Sequence, residues 1–290
     1  DEASMLDISL FYHLLCALKD GARLILVGDI DQLPPVGAGE PLKDLMSWGY
    51  VPIVRLKRIF RQEEGSGIVE NAALIRKGEM CVPDEAGEFR IVYAADDEDA
   101  YRIVMDLCRE LNYGNEENKM LLQVLSPMYR GVCGVDHLNE SLQEMIHGEK
   151  VPDGMKFFPG DKVMQTRNDY EKGIYNGDVG TVWTATPQKV FVRYFDKEVV
   201  YEGEERFDLR LAYAVTVHKS QGSEYETVIF IPRPSQHNML QRNLLYTGVT
   251  RARKNTILVT APDALRRALA IQHTGNRYSL FLPFLNHEAL

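Results

Sequence analysis

Short, continuous apolar runs alternate with helix-patterned segments along most of the chain, and this alternation narrows the possible folds more than any other feature. Residues 23–28 read Arg-Leu-Ile-Leu-Val-Gly and lead into Asp29, the pattern of a strand buried on both faces. Runs of the same kind occupy residues 89–93, 120–125, 211–217, 227–231 and 256–260. Between them the spacing predicts a helix over about 67–77, with Ile68, Ala72 and Ile75 on one face. Further helices are predicted over about 98–111, 135–146, 236–245 and 262–271. Strands alternating with helices imply an α/β fold whose parallel sheet is covered on both sides.

One stretch breaks the rhythm. From about residue 152 to 206 the chain carries short alternating segments around 163–166, 180–183, 190–194 and 198–201. Gly-Asp, Asn-Gly-Asp, Thr-Pro and Phe-Asp-Lys turns separate them, which predicts a small antiparallel β module inserted in the α/β domain. The acidic cluster at 96–99 reads as a helix N-terminus, where carboxylates suit the dipole.

Composition removes several classes. With 290 residues, 45% hydrophobic and 26% charged, the chain is neither a disordered, a collagen-like nor a disulfide-scaffold sequence. No apolar run approaches the roughly 18 residues of a membrane-spanning helix, so no membrane partner is expected. The first residues show no basic stretch followed by an apolar core, so no secretory signal is predicted. Cys16, Cys81, Cys108 and Cys133 stand far apart, as thiols of a reducing cytoplasm would. A net charge of −9 argues against nucleic-acid binding on average, yet local charge decides. Between Gln241 and Asn255 there are four basic residues and no acid.

The chemistry-bearing strings cluster at strand ends, where α/β sheets collect their ligands. Residues 28–36 read Gly-Asp-Ile-Asp-Gln-Leu-Pro-Pro-Val, and the two prolines fix the backbone behind Gln32 so that its amide is held toward a reacting group. A rigid turn with an Asx cap would account for Asp29 and the prolines, but not for the whole string. Asp1-Glu2 is an adjacent carboxylate pair able to bind a phosphate-linked magnesium and orient a water, although an acidic pair at a terminus is weak by itself. Arg61, in Ile59-Phe60-Arg61-Gln62, is placed either to reach a phosphate or to lie solvated on the surface. Residues 215–224 read Val-Thr-Val-His-Lys-Ser-Gln-Gly-Ser-Glu and gather hydroxyls, His, Lys and Gly at one strand end, a set suited to phosphates. Finally, Arg251 in Thr-Gly-Val-Thr-Arg-Ala has the context of an arginine delivered to a phosphate across a domain boundary, whereas Arg253 and Lys254 fit a basic helix end.

Together, and in this order, these strings resemble the later motifs of superfamily 1 DNA helicases. Asp1-Glu2 resembles the end of the Walker B strand, 28–36 motif III, Phe60-Arg61-Gln62 motif IV, 216–224 motif V and 246–252 motif VI. Ile59–Gln62, the string Val-Leu-Ser-Pro-Met-Tyr-Arg-Gly at 124–131, and the β module ahead of Val-His-Lys-Ser-Gln-Gly are similar to the RecD-like branch. That branch includes the exodeoxyribonuclease V alpha subunit and stand-alone relatives that move 5′→3′ on single-stranded DNA in recombination and repair. The resemblance implies a RecA-like parallel sheet of a second motor domain at 53–151 and 207–290. It also implies an SH3-like barrel at 152–206 and the remnant of a first motor domain at 1–52.

The implied cofactors are ATP and Mg2+. Asp1 would hold the metal through water and Glu2 would orient the attacking water. Gln32, Arg61 and Arg251 would surround the γ-phosphate, with Gly222 and Glu224 near the ribose. Thr216, His218, Ser220, Ser126 and Tyr129 would contact single-stranded DNA. One departure matters: no G-x-x-x-x-G-K-[ST] phosphate-binding loop occurs in the chain. The expectation is therefore the C-terminal portion of a cytoplasmic ATP-driven helicase, partnered by an N-terminal motor half and by other exodeoxyribonuclease V subunits, and inactive as an ATPase by itself. The competing expectation is a non-catalytic module that binds single strands.

Overall fold

The computed structural model describes residues 1–56, 65–272 and 281–287. The N-terminal region holds α1 (Ile8–Ala17) and α2 (Pro41–Trp48). Asp7 caps α1 by accepting from Leu10 N at 2.7 Å, and Pro41 opens α2 where its missing N–H costs nothing. The chain then forms α3 (Gly67–Lys77), β1 (Phe89–Tyr93), α4 (Asp97–Glu110), α5 (Glu116–Leu121), β2 (Leu122–Ser126) and α6 (Val135–His147). Asp96 caps α4 by accepting from Asp99 N at 2.8 Å, so the acidic cluster does mark a helix start. Antiparallel strands follow as β3 (Lys162–Gln165), β4 (Val179–Ala185), β5 (Lys189–Arg193), β6 (Glu198–Glu202) and β7 (Leu209–Leu211). The chain returns through β8 (Ala214–Thr216), β9 (Tyr225–Phe230), α7 (Arg242–Val249), β10 (Ala252–Thr260) and α8 (Pro262–Ala270). The short α9 (Phe281–Leu285) closes back on the N-terminal region, with the Phe281 ring edge-on to Phe11 and Trp48 donating to the Leu285 carbonyl.

Two five-stranded sheets result, one wholly parallel in the order β1-β10-β9-β2-β8 and one antiparallel in the order β6-β5-β4-β3-β7. Alternation along the parallel strands loads both faces. Val228, Phe230 and Leu258 pack under α3, α7 and α8, while Ile229, Ile257 and Val259 pack under α4 and α6. This double burial is why the strands read as unbroken apolar runs. The antiparallel sheet encloses its own core of Val163, Val182, Val192, Tyr201 and Leu209.

Three expectations shift. Residues 23–28 form no strand among the described residues, because no neighbouring strand offers them a ladder; Ala3 N donating to Val27 O at 2.8 Å ties them to the N-terminal turn. The run at 211–217 is divided between both sheets. Ala212 N donates to Lys162 O on β3, while Tyr213 O accepts from Val124 N on β2. The helix expected at 236–245 begins later, at Arg242, because Pro234 and the Gln236 side chain, which accepts from Arg233 N, hold a tight turn first.

Candidate functional site

The loop at 28–36 is stitched to the parallel-sheet domain by side chains reaching its backbone. Leu33 N donates to Thr247 Oγ1 at 2.8 Å, Gln221 Nε2 donates to Leu33 O at 3.1 Å, and Asn243 Nδ2 donates to Gln32 O at 2.9 Å. Tyr246 donates to Asp29 Oδ2 at 2.9 Å; burial first, then the Asp29 carboxylate, raise the Tyr246 pKa and keep the phenol protonated. The Leu33 side chain is itself buried in the core under α3 and α7. Gly28 permits the loop's close approach to the first turn, since a Cβ there would lie 2.7 Å from Ser4 N.

Gln32 Oε1 is buried and has no hydrogen-bond partner among the described residues, and the same holds for Ser4 Oγ. Both residues line one small recess with Leu33, Leu42 and Lys43. A buried acceptor left without a donor is costly in a purely structural role. Glu2 adopts a left-handed backbone at φ 54°, and Asp1 Oδ1 accepts from Glu2 N at 2.8 Å. The donor chemistry of this pair suits magnesium, which keeps several waters and needs one or two carboxylates beside phosphate oxygens. Among the described residues no cluster of three or more His, Cys, Asp or Glu side chains forms a complete metal cage.

Arg251 follows α7 and is 2% exposed. Its Nε donates to Thr247 O at 3.2 Å and a terminal nitrogen to Ser223 O at 3.1 Å, so the guanidinium joins α7 to the turn ahead of β9. Gly248 makes this possible, because a Cβ there would meet the Phe230 ring at 2.6 Å and push α7 off β9. Gly222 lies in the left-handed region at φ 76°, and Glu224 pairs with Arg253 at 2.7 Å. Arg61 lies outside the described residues.

The residues expected to meet DNA separate into two groups. Ser126 and Ser220 are fully buried and their hydroxyls work internally. Ser126 donates to Cys133 O at 2.6 Å, and Ser220 donates to Val217 O at 2.8 Å. Thr216 is 5% exposed and caps the turn at 217–220 by accepting from Lys219 N. In this structure these hydroxyls shape the loops rather than present themselves. His218, in that turn, is half-buried, and Tyr129 is exposed.

Contacts that the sequence does not disclose complete this face. Lys219 Nζ donates to Asn176 Oδ1 of the antiparallel module at 2.6 Å, and Arg210 of β7 places its guanidinium 5.9 Å from the Tyr129 ring centre. Burial, then the Arg210 charge, lower the Lys219 pKa. Cations crowded at a seam beside exposed Tyr129 and Tyr175 suit an anionic strand with planar bases. Asn243, Tyr246 and Thr247 carried a readable signal, since their i, i+3, i+4 spacing puts three polar groups on one face of an otherwise apolar helix. The Lys219–Asn176 and Arg210–Tyr129 contacts carried none, being long-range.

Comparison with known proteins finds related helicases. The chain matches the family models of a UvrD-like helicase C-terminal domain over residues 211–259, an ATP-dependent RecD-like DNA helicase SH3 domain over 138–194, and an AAA domain over 1–90. It is 37% identical to the ATP-dependent RecD2 DNA helicase of Deinococcus radiodurans, over 97% of this chain and 38% of that protein. It is 32% identical to the RecBCD enzyme subunit RecD of Mycolicibacterium smegmatis, over 97% of this chain and 53% of that one. The chain thus spans half or less of the length of such relatives, or little more. A Pif1 helicase from Bacteroides, solved in complex with ADP-AlF3 and ssDNA, superposes with a TM-score of 0.57 at 20% identity, covering 99% of this chain and 73% of that one. Pif1 helicase from Candida albicans gives 0.55 at 19% identity, over 99% and 76% respectively. At such identities the likeness is one of fold.

Proposed function

The chain belongs to the RecD-like branch of superfamily 1 helicases, and on that premise we propose that it forms the force-transmitting portion of an ATP-dependent motor that moves 5′→3′ on single-stranded DNA in recombination and repair. The observation that carries this reading is the stitching of the 28–36 loop to α7 and to the 217–224 turn through Thr247, Gln221, Asn243 and Tyr246. The loop with the unpartnered Gln32 acceptor and the segment with Arg251 then move as one unit with the turn that faces the strand. In domain terms, 1–52 belongs to a first motor domain, 53–151 with the chain after β7 to the second, and the inserted barrel begins near 152 and extends past the expected bound of 206 through β7, which pairs with β3.

ATP with magnesium supplies the phosphoryl chemistry when bound. Asp1 would hold the metal through water and Glu2 would orient the attacking water. Gln32, Arg61 and Arg251 would meet the γ-phosphate, and Gly222 and Glu224 would serve the ribose. On the other side of the unit His218, Lys219 and Arg210 hold the strand's phosphates and Tyr129 supplies a stacking face. Closing and opening around the nucleotide alternately tightens and relaxes that grip. The partners are a motor half bearing a phosphate-binding loop and other exodeoxyribonuclease V subunits, in the cytoplasm.

The test is reconstitution. The 290-residue chain, which carries no G-x-x-x-x-G-K-[ST], is expected to hydrolyse ATP negligibly. Joined to a half with that loop, it is expected to show DNA-stimulated turnover that Arg251→Ala lowers by about 10³-fold, the scale of a lost arginine finger. Robust turnover by the chain alone, or restored turnover indifferent to Arg251→Ala, overturns the reading. Strand binding that depends on salt but never on nucleotide identifies a non-catalytic binding module instead.

A further inference from the structure

The start of β3, where the antiparallel module joins the parallel sheet, buries two consecutive ionisable side chains, Asp161 and Lys162, both 0% exposed. Alternation along the strand sends them to opposite faces. Asp161 is fully served: Phe158 N, the Gln143 amide and the Tyr213 hydroxyl donate to it, and His147 Nε2 lies 2.8 Å from Oδ1. Lys162 is served differently. Its Nζ donates to Leu122 O at 3.1 Å and to Gln123 Oε1 at 3.0 Å, both neutral acceptors on β2. The ammonium lies 5.6 Å from the ring centres of both Tyr113 and Tyr225. A second cation, Lys119, also acts on it, itself donating to Gly160 O and pairing with Glu116.

A buried ammonium with neutral partners costs stability that a methionine of similar length would not. What the lysine touches suggests why it is there. Tyr225 follows Glu224 directly, and its backbone N donates to the Arg251 carbonyl at 2.9 Å. The Arg251 guanidinium in turn holds Ser223 O, two residues before Tyr225. A short path of contacts therefore runs from the first barrel strand through the Lys162 ammonium and the Tyr225 ring to the Arg251 backbone.

We infer that Lys162 is a positioning residue: it transmits the placement of the barrel, set by the strand bound along the Lys219–Asn176 seam, to the Arg251 segment through Tyr225. The inference rests on the proposed single-strand site. Lys162 touches neither nucleotide nor DNA, so its effect lies in coupling rather than in affinity.

Hydrogen exchange at the Tyr225 amide, whose acceptor is the Arg251 carbonyl, reports the far end of the path directly. In the unaltered chain a short oligothymidylate is expected to slow that exchange by about tenfold. Lys162→Met is expected to bind the same oligonucleotide with a Kd within about twofold and to melt no lower, yet to lose the slowing. A merely structural lysine would lower the melting temperature and leave the DNA response intact. If Lys162→Met keeps the slowing, or if DNA binds the unaltered chain without changing Tyr225 exchange, the inference is overturned alone. If the unaltered chain binds no strand, the proposed function falls and the inference with it.

Discussion

Residues 23–28 and 256–260 carry the same kind of apolar run and end in opposite environments. In β10, Ile257, Leu258 and Val259 are at most 2% exposed, flanked by β1 and β9 and covered by helices on both faces. In the N-terminal region Ile25 is 73% and Val27 50% exposed, and further along Val54 and Leu56 exceed 80%. An apolar run states that a segment is able to be a buried strand. The neighbours decide whether it is one, because the ladder and the covering helices supply the hydrogen bonds and the dry surface that make extended backbone favourable.

The largest expected effect tests that difference directly. Leu258→Ala should cost about 2–5 kcal/mol in urea unfolding, the range for emptying a well-packed core site. Ile25→Ala should stay within about 0.5 kcal/mol, as exposed substitutions do. An Ile25→Ala cost comparable to that of Leu258→Ala would mean that the N-terminal face is covered in solution, and the comparison would break.

The same contrast explains what the sequence disclosed. Several elements of the parallel-sheet domain were legible residue by residue, as at 67–77 and 89–93, because period and burial agree there. The acidic cap at Asp96 was legible because capping is local. The division of 211–217 was not, since Ala212 and Tyr213 serve two sheets that meet only in three dimensions. In the candidate site the motif strings mark loops, and only the folded chain shows where individual side chains are spent. Ser126 and Ser220 look like surface donors in sequence, yet each hydroxyl has a backbone carbonyl within reach once the loops close.

The buried side of the comparison also carries a pH signature. Burial, with Lys119 nearby, pushes the Lys162 pKa down to about 7, whereas an unfolded lysine titrates near 10.4. Between those values the unfolded chain binds a proton that the folded one does not, so the contribution of Lys162 to stability rises with pH from about 7 to about 10. Its slope approaches about 1.4 kcal/mol per pH unit at most. Lys162→Met should flatten the stability profile across that window, as read by denaturant midpoints at several pH values. An unchanged profile would show that the ammonium is hydrated in solution and that the seam between the sheets is not dry.

The smallest expected effect lies between the two regions, at the ion pair of Asp31 in the 28–36 loop with Arg76 on α3. At 2.6 Å its approach is shorter than that of Leu33 N to Thr247 Oγ1 at 2.8 Å. Distance alone would rank it above that hydrogen bond. Exposure reverses the ranking: the Arg76 and Asp31 side chains are 56% and 38% exposed, so water and salt screen the attraction and the flexible arginine loses entropy in making it. Leu33, by contrast, is fully buried and its amide would be left unpaired without Thr247. Arg76→Ala should therefore change stability by no more than about 0.5 kcal/mol, and roughly 1 M salt should erase even that. Thr247→Val, which keeps the side-chain shape and removes only the acceptor, should cost about 1–3 kcal/mol and be indifferent to salt. Equal costs for the two substitutions would mean that charge fastens the loop, and that burial does not separate the two regions.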